Sequence, residues 1–172
     1  MSDFIQKEAW ELTHNLFTKL DKEWMLLGAA KPDGSVNMMT ASWGGFGIYW
    51  GKPAAFTVVR PQRYTKEFMD SAGGYSLTFF PSEYKDRLNF CGVKSGRDYN
   101  KVKECGFDVL FEGGIPYFAQ ANLVFICKHI LAQPLHESSF ISPDAVPAMY
   151  PRGDFHTLYI SEIVNVFEKV VQ

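Results

Sequence analysis

Short runs of β-branched and aromatic residues, separated by turn residues and short helical segments, constrain the fold of this chain most strongly. The run at residues 122–131 is almost continuously apolar, which predicts a strand covered on both faces. Such runs lie at residues 24–31, 36–43, 54–60, 75–80, 107–111, 122–131 and 157–167. Aromatic residues make up 16% of the chain and favour pleated, half-buried surfaces. Together the runs predict a mainly β protein with inserted helices, closed into a small barrel.

The intervening segments predict helices, one hairpin and loops. Apolar residues recur at three- and four-residue spacing near the N-terminus, which is typical of an amphipathic helix. Pro32-Asp-Gly-Ser35 favours a tight turn that joins the first two strands into a hairpin. Gly44-Gly-Phe-Gly47 predicts a loop, and its spacing differs from the dinucleotide-binding Gly-x-Gly-x-x-Gly pattern. Helices are predicted over residues 4–20, 64–71, 82–90 and 98–105, and a loop over 143–150.

Length and charge narrow the class of protein. The 172 residues fit a single domain over 1–172, and no repeat or linker divides them. The formal net charge of -2 provides no global field that would attract nucleic acid or anionic lipid. No apolar run approaches the roughly 20 residues that span a bilayer, so we expect no membrane partner. Neither a signal peptide nor a metal-ligand spacing is visible, and three cysteines without paired spacing predict reduced thiols in a cytoplasmic protein.

The end of the second strand, Asn37-Met-Met-Thr-Ala-Ser-Trp43, is the first candidate for chemistry. Alternation in a strand places Thr40 and Ser42 on one face. The other face carries Asn37, Met39, Ala41 and Trp43. Two hydroxyls at a strand end could bind a phosphate or the edge of a flavin, whereas a polar edge strand that faces water has the same composition.

The segment Arg60-Pro-Gln-Arg-Tyr-Thr65 leads into the predicted helix at 64–71. Free backbone N–H groups and the helix dipole favour an anion at a helix N-terminus. Arg60 and Arg63 add charge and planar donor groups, and Thr65 lies at the N-cap or in the first turn. A phosphomonoester suits this arrangement. A surface turn with solvated arginines is the alternative.

Two further segments supply polar groups. Ser95, Gly96 and Lys101 lie in a loop between two predicted helices, where the glycine permits close approach to a ligand. The alternative is a solvated basic linker. His156 lies at the mouth of the last strand, where a barrel holds its ligand and where imidazole could donate a hydrogen bond. A surface histidine at a strand start is the alternative there.

In this order and separation, the four segments resemble those of the FMN-binding split β-barrels of the flavin-reductase-like group, and of its flavoredoxin-type branch in particular. The resemblance covers roughly residues 20–168. It rests on Asn37-Met-Met-Thr-Ala-Ser-Trp43, Arg60-Pro-Gln-Arg-Tyr-Thr65, Ser95-Gly-Arg-Asp with Lys101, and Gly153-Asp-Phe-His156 leading into Glu162-Ile-Val. Two positions depart from the reductase pattern, because Phe155 separates Asp154 from His156 and Ser161 stands where many reductases have glycine.

The resemblance implies a Greek-key split β-barrel and a homodimer with FMN at or near the subunit interface. It implies that Thr40, Ala41, Ser42 and Trp43 lie along the flavin, with Asn37 and Met39 in the same stretch. The phosphate and ribityl chain would be bound by Arg60, Arg63, Tyr64 and Thr65. Ser95, Gly96 and Lys101 would close over the cofactor, and His156 would lie near the flavin or a nicotinamide.

Three functions remain open at this point. An oxidoreductase would pass reducing equivalents from NADH, NADPH or a reduced protein partner through FMN to a flavin or small acceptor, and the redox chemistry would belong to the cofactor. A non-catalytic FMN-binding electron carrier would hold the same cofactor. An interaction protein would leave the pocket empty. Related barrels also bind haem or a deazaflavin, and an arginine-flanked helix start suits pyridoxal phosphate as well as FMN.

Overall fold

The fold is built mainly from antiparallel strands. The computed structural model describes residues 4–142 and 144–170. Within them the strands are β1 (Phe4–Lys7), β2 (Met25–Ala30), β3 (Val36–Ala41), β4 (Gly44–Tyr49), β5 (Lys52–Val59), β6 (Gly74–Phe79), β7 (Val109–Glu112), β8 (Ile115–Phe118), β9 (Leu123–Pro134) and β10 (Thr157–Lys169). The helices are α1 (Leu16–Thr18), α2 (Tyr64–Ser71), α3 (Lys85–Val93), α4 (Lys101–Cys105) and α5 (Ala145–Met149). The prediction of a mainly β protein with inserted helices is confirmed.

Seven strands follow one another across the large sheet in the order β3-β2-β6-β9-β10-β5-β4, and β1 joins it by pairing with β10. All of the pairings are antiparallel. The end strands β3 and β4 are consecutive in the chain and are separated only by Ser42 and Trp43. Two residues cannot cross a flat sheet of this width, because a residue spans at most about 3.6 Å. The sheet therefore curls into a barrel that stays open between β3 and β4.

The two faces of the curled sheet carry separate cores. Alternation along β2 places Leu27 on one face and Leu26 on the other. Leu27 packs with the cluster that contains Phe79 and Phe125, inside the barrel. Leu26 belongs to a second cluster, which α3, α4 and the β7–β8 hairpin cover. In this outer layer, α3 and α4 pack against β3, next to the open seam.

The N-terminal segment is not the helix predicted over residues 4–20. It forms β1, a 3₁₀ turn at Ala9–Glu11, the short α1, and a π-helical turn at Lys19–Glu23. Phe4 of β1 pairs with Lys169 at the end of β10. The periodic apolar residues Ala9, Leu12, Leu16 and Leu20 contact the inner core, although not from one continuous helix, whereas Ile5 is exposed. The spacing therefore predicted contact with the core for all but Ile5 and wrongly predicted a helix.

Gly44-Gly-Phe-Gly47 is also not the predicted loop, because it forms most of β4. A β-carbon at Gly44 would clash with the backbone carbonyl oxygen of Phe56 on the neighbouring strand β5. Glycine is thus favoured here by the close approach of the neighbouring strand rather than by a turn. The predicted loop at 143–150 is corrected as well, because Ala145–Met149 is helical; residue 143 lies outside the described residues.

Other predicted helices and strands agree with the structure except at their first and last residues. The hairpin is confirmed, since β2 and β3 pair around the turn at residues 32–35. The helix at 64–71 is α2, and Thr65 lies in its first turn, where Arg63 is the N-cap residue. β9 is buried on both faces only from Leu123 to Cys127, and beyond Cys127 it is largely open to solvent. The prediction of two-sided burial over all of 122–131 is wrong for its second half.

Candidate functional site

A groove of about 250 Å³ lies at the seam, where β3 and β5 end, α2 begins and β10 starts. Its walls combine apolar side chains with hydroxyl, guanidinium and imidazole groups. The lining residues are Met39, Thr40, Ala41, Ser42, Trp43, Val58, Arg60, Arg63 and His156. Eight of these nine were proposed from the sequence as cofactor contacts or as the catalytic histidine. The fold thus brings together residues more than 100 positions apart in the chain.

The end of β3 supplies one wall in a way that simple alternation does not predict. Thr40 and Ala41 were placed on opposite faces, yet both line the groove together with Trp43. β3 ends at Ala41 and the chain then turns into β4, so the alternation ends there. The Thr40 hydroxyl donates to the carbonyl of Leu88 on α3 and is already engaged. The Trp43 side chain is 48% exposed, so this wall continues onto the surface.

Arg60 is held by an acidic partner within the chain. Its guanidinium forms an ion pair with Asp154 and also donates to the carbonyl of Met149 at 2.9 Å. Gln62 donates to the same Asp154 carboxylate at 2.9 Å. Hydrogen bonds from Gln62 and Arg60 lower the pKa of Asp154 below its ordinary value. An anion that binds Arg60 must therefore compete with, or share, this carboxylate.

Arg63 is half-buried and reaches the end of α3. Its Nη1 donates to the carbonyl of Gly92 at 2.7 Å, and its Nη2 lies 3.5 Å from the carbonyl of Cys91. A cation is favourable there, because the last carbonyls of a helix carry partial negative charge. Burial lowers the pKa of Arg63 without removing its charge. Arg63 thus joins α3 to the start of α2 at the edge of the groove.

His156 lines the groove and is buried, with 6% of its surface exposed. Its Nδ1 lies 2.8 Å from the hydroxyl of Tyr150, and its ring centroid lies 5.3 Å from that of Trp43. Burial and the nearby charge of Arg60 lower the pKa of His156 to about 4. The imidazole is therefore neutral at pH 7 and carries one N–H group.

The other residues proposed from the sequence lie beside this groove. Asn37, Tyr64, Gly96 and Lys101 line a neighbouring hollow of about 660 Å³. Lys101 is buried and donates to the carbonyls of Met38 at 2.7 Å and Cys91 at 3.0 Å, and burial lowers its pKa to about 8. It fastens α4 to β3 and α3.

Thr65 and Ser95 form contacts within the chain. Thr65 is buried, and its hydroxyl accepts a hydrogen bond from Asn37 at 3.0 Å. The Ser95 hydroxyl accepts from the backbone N–H of Arg97 at 3.2 Å. These two residues hold α2 and the 94–100 loop in place, and they support the walls of the site.

One lining residue of the groove, Val58, and two residues that contact its polar groups or their partners, Gln62 and Tyr150, were missed from the sequence. Val58 could have been found, because period-two alternation puts it on the same face as Arg60. Gln62 and Tyr150 carry no such signal. Gln62 sits in a turn, and Tyr150 follows a five-residue helix, so no periodicity orients either side chain.

The groove could bind a flat aromatic ligand that carries acceptor atoms and an anionic tail. Met39, Ala41 and Val58 provide apolar contact, and His156 and the two arginines provide donors. Across residues 4–142 and 144–170, no three His, Cys, Asp or Glu side chains cluster as a metal site requires. In the same residues, no helix is long and apolar enough to cross a membrane.

Comparison with known proteins places this geometry in a recognised fold. No family model and no curated protein sequence matches the chain. Among solved structures, an FMN-binding domain of a flavin-reductase-like enzyme from Shewanella baltica superimposes with a TM-score of 0.69 at 20% identity, over 96% of this chain and 77% of that one. Flavoredoxin from Methanosarcina acetivorans gives 0.66 at 20% identity, over 85% and 68%. An FMN-binding protein from Thermus thermophilus, with bound 1-cyclohex-2-enone, gives 0.67 at 21% identity, over 85% and 70%.

These similarities, together with the open seam between β3 and β4, define the fold as the split β-barrel of flavin-reductase-like proteins. The fold that the sequence motifs predicted is therefore confirmed. The structural superpositions establish the architecture, and sequence identity near 20% transfers neither a ligand nor a reaction to this chain.

Proposed function

We propose that this protein is an FMN-binding oxidoreductase that passes reducing equivalents from NADH, NADPH or a reduced protein to a flavin or small acceptor. One observation carries the proposal. In a split barrel, the predicted flavin stretch 39–43, both predicted phosphate arginines and His156 line a single groove. Free thiols at Cys91, Cys105 and Cys127 support the reducing, cytoplasmic setting that we propose.

The residues of the groove fit FMN. An isoalloxazine ring is flat and apolar on its faces, which suits a wall of methionine, alanine, valine and tryptophan side chains. Its edge carries carbonyl and ring-nitrogen acceptors, which suit the imidazole N–H. A phosphate suits the guanidinium groups of Arg60 and Arg63 at the start of α2. Bound FMN would supply the redox chemistry by accepting and releasing a pair of electrons.

The chain's own residues would orient the cofactor and adjust its electrostatic surroundings. Arg60 and Arg63 place positive charge at one end of the groove, where it would stabilise an anionic ligand. His156 is neutral at pH 7, so it would offer a hydrogen bond without adding charge. Trp43 would shield part of the groove from water, because its ring lies over the imidazole.

A visible absorption spectrum tests the proposal. Purified protein is saturated with FMN, freed of excess ligand and titrated anaerobically with NADH and NADPH. We expect retained flavin bands that bleach on addition of at least one nucleotide. Retained bands that bleach only with a reduced protein such as a ferredoxin leave a reduced protein as the donor. Catalytic reduction of added free flavin then supports the oxidoreductase, and its absence favours the electron-carrier alternative. A failure to retain FMN contradicts the proposed function.

We further propose that the protein is a homodimer whose second copy covers the β4 edge. The uncharged stretch 43–51 contains this strand, and Ile48 within it is 69% exposed. Uncovered apolar edge strands promote association, and natural proteins protect them with charge, proline or a partner. A groove of about 250 Å³ also lies below the 300–1,000 Å³ of typical ligand sites. A partner next to Trp43 would deepen it.

A further inference from the structure

Tyr150 and His156 form a rigid buried pair in the wall of the groove. The Tyr150 hydroxyl lies 2.8 Å from Nδ1 of His156, and 7% of the tyrosine surface is exposed. Tyr150 follows α5, and its backbone N–H donates to the carbonyl of Val146 at 2.8 Å. Its ring packs against those of Phe140 and Phe155, with centroids 5.4 Å and 4.9 Å away. The hydroxyl is thus held in a fixed position against the imidazole.

The protonation states decide the direction of this hydrogen bond. Burial raises the pKa of Tyr150 above its ordinary value, so the hydroxyl keeps its proton. The lowered pKa of His156 favours a neutral imidazole at pH 7. Among the described residues, His156 is the only hydrogen-bond partner of the Tyr150 hydroxyl. The arrangement that uses the tyrosine proton has the hydroxyl donating to Nδ1, which leaves the imidazole proton on Nε2.

The free nitrogen of His156 is open to the groove. Nε2 has no hydrogen-bond partner in the described part of the chain, and it is not among the fully buried polar atoms that lack one. It is therefore reachable by solvent. His156 lines the groove with Thr40, Ser42 and Trp43, so that is where an accessible Nε2–H can meet a ligand.

We propose that Tyr150 is a positioning residue that fixes His156 as its Nε2–H tautomer and so makes it a hydrogen-bond donor to the ligand of the groove. A carbonyl oxygen, an unprotonated ring nitrogen or a hydroxyl oxygen would be accepted at this point, and a ligand N–H group, which can only donate, would be rejected. The identity of that ligand as FMN rests on the function proposed above. The tautomer itself does not depend on it.

The tautomer is tested by long-range ¹H–¹⁵N correlation spectra of protein labelled with ¹⁵N-histidine at pH 7. His156→Gln assigns the signals. We expect a protonated Nε2 and an unprotonated Nδ1 in the wild type, and Tyr150→Phe is expected to shift both toward a mixture of tautomers. Tyr117→Phe is the control, because Tyr117 is equally buried and its hydroxyl makes no hydrogen bond within the described residues. A protonated Nδ1 in the wild type, or an unchanged spectrum in Tyr150→Phe, overturns the proposal.

FMN titration of the same variants tests the role toward the ligand. Tyr150→Phe is expected to weaken FMN binding about twofold, because an even mixture of tautomers leaves the Nε2–H donor in only about half of the molecules. Tyr117→Phe should leave it unchanged. A shifted tautomer with unchanged FMN affinity contradicts the contact between Nε2–H and the ligand. If the wild type binds no flavin, the proposed function fails, and so does the proposed contact between Nε2–H and FMN. The NMR spectra still decide the tautomer of His156 in that case.

Discussion

Gly96 lies directly against the side-chain amide of Asn37, so that a β-carbon at Gly96 would be 2.7 Å from Cγ of Asn37. The amide is buried and also donates to the Thr65 hydroxyl. Strand β3, helix α2 and the 94–100 loop therefore meet at one amide group. Asn37 and Gly96 both line the larger neighbouring hollow, so the packing of this junction should control the shape of that hollow.

Gly96→Ala is expected to lower the free energy of unfolding by about 1–3 kcal/mol, the usual cost of forcing a methyl group into a packed site. Urea unfolding followed by circular dichroism measures the change. Gly73→Ala is the matched control, because a β-carbon there meets no atom within 4 Å. Equal stability of the two variants would show that the loop moves aside freely and that the junction is not tightly packed.

Replacing both Arg60 and Arg63 with alanine is expected to weaken FMN binding about tenfold or more. Each hydrogen bond to a charged group contributes about 1.5–3 kcal/mol, and the net effect should lie toward the lower end because Asp154 and the α3 carbonyls compete for the same donors. Fluorescence titration measures affinity for FMN and for riboflavin, which lacks the phosphate.

Affinity for riboflavin should change little in this double variant, and Arg87→Ala, an exposed arginine on α3, should change neither affinity. Circular dichroism is needed alongside, since Arg63 also holds the end of α3. Equal losses for FMN and riboflavin would mean that the arginines support the fold or the ring site rather than the phosphate.

The β4 edge gives a prediction about assembly. Ile48→Lys is expected to convert a dimer into monomers, because a buried ammonium group costs far more at an interface than on an exposed strand. Light scattering after size-exclusion chromatography measures the mass. Ile141→Lys is the control, since Ile141 is fully exposed and lies outside the edge strand. A monomeric wild type, or a dimeric Ile48→Lys variant, rejects the proposed interface.

The sequence was most informative where local and tertiary forces agree. The Pro-Asp-Gly-Ser turn and α2 were predicted correctly because turn chemistry and helical periodicity act over a few residues. It was least informative where a distant strand decides the outcome. β1 is a strand because β10 extends far enough to pair with it, and Gly44 fits in β4 because it has no β-carbon to clash with the backbone carbonyl oxygen of Phe56 on β5.

The same distinction applies to the groove. Motif resemblance identified most of its lining, since those residues cluster at strand and helix ends that any split barrel brings together. Tyr150 and Asp154 contact His156 and Arg60 through a loop whose path no local pattern specifies. Contacts such as those of Tyr150 and Asp154 are set by the path of the folded chain and cannot be predicted from the spacing of residues in the sequence.

The last prediction concerns acid stability. Because the pKa of His156 is about 4 in the folded chain and near 6.5 when unfolded, the unfolded chain binds the additional proton between these pH values. The contribution of neutral His156 to the free energy of unfolding is fully present above pH 6.5 and is lost as the pH falls toward 4. Between pH 7 and pH 5 the free energy of unfolding should fall by about 2 kcal/mol from His156 alone.

Urea unfolding at both pH values measures this loss. His156→Gln should show a smaller fall, with the remainder due partly to His129, whose pKa burial also lowers. His136→Gln, a variant of an exposed histidine, should behave as the wild type. If His156→Gln and the wild type lose stability in parallel, then His156 is not held neutral by its surroundings, and its assignment as an uncharged donor in the groove fails.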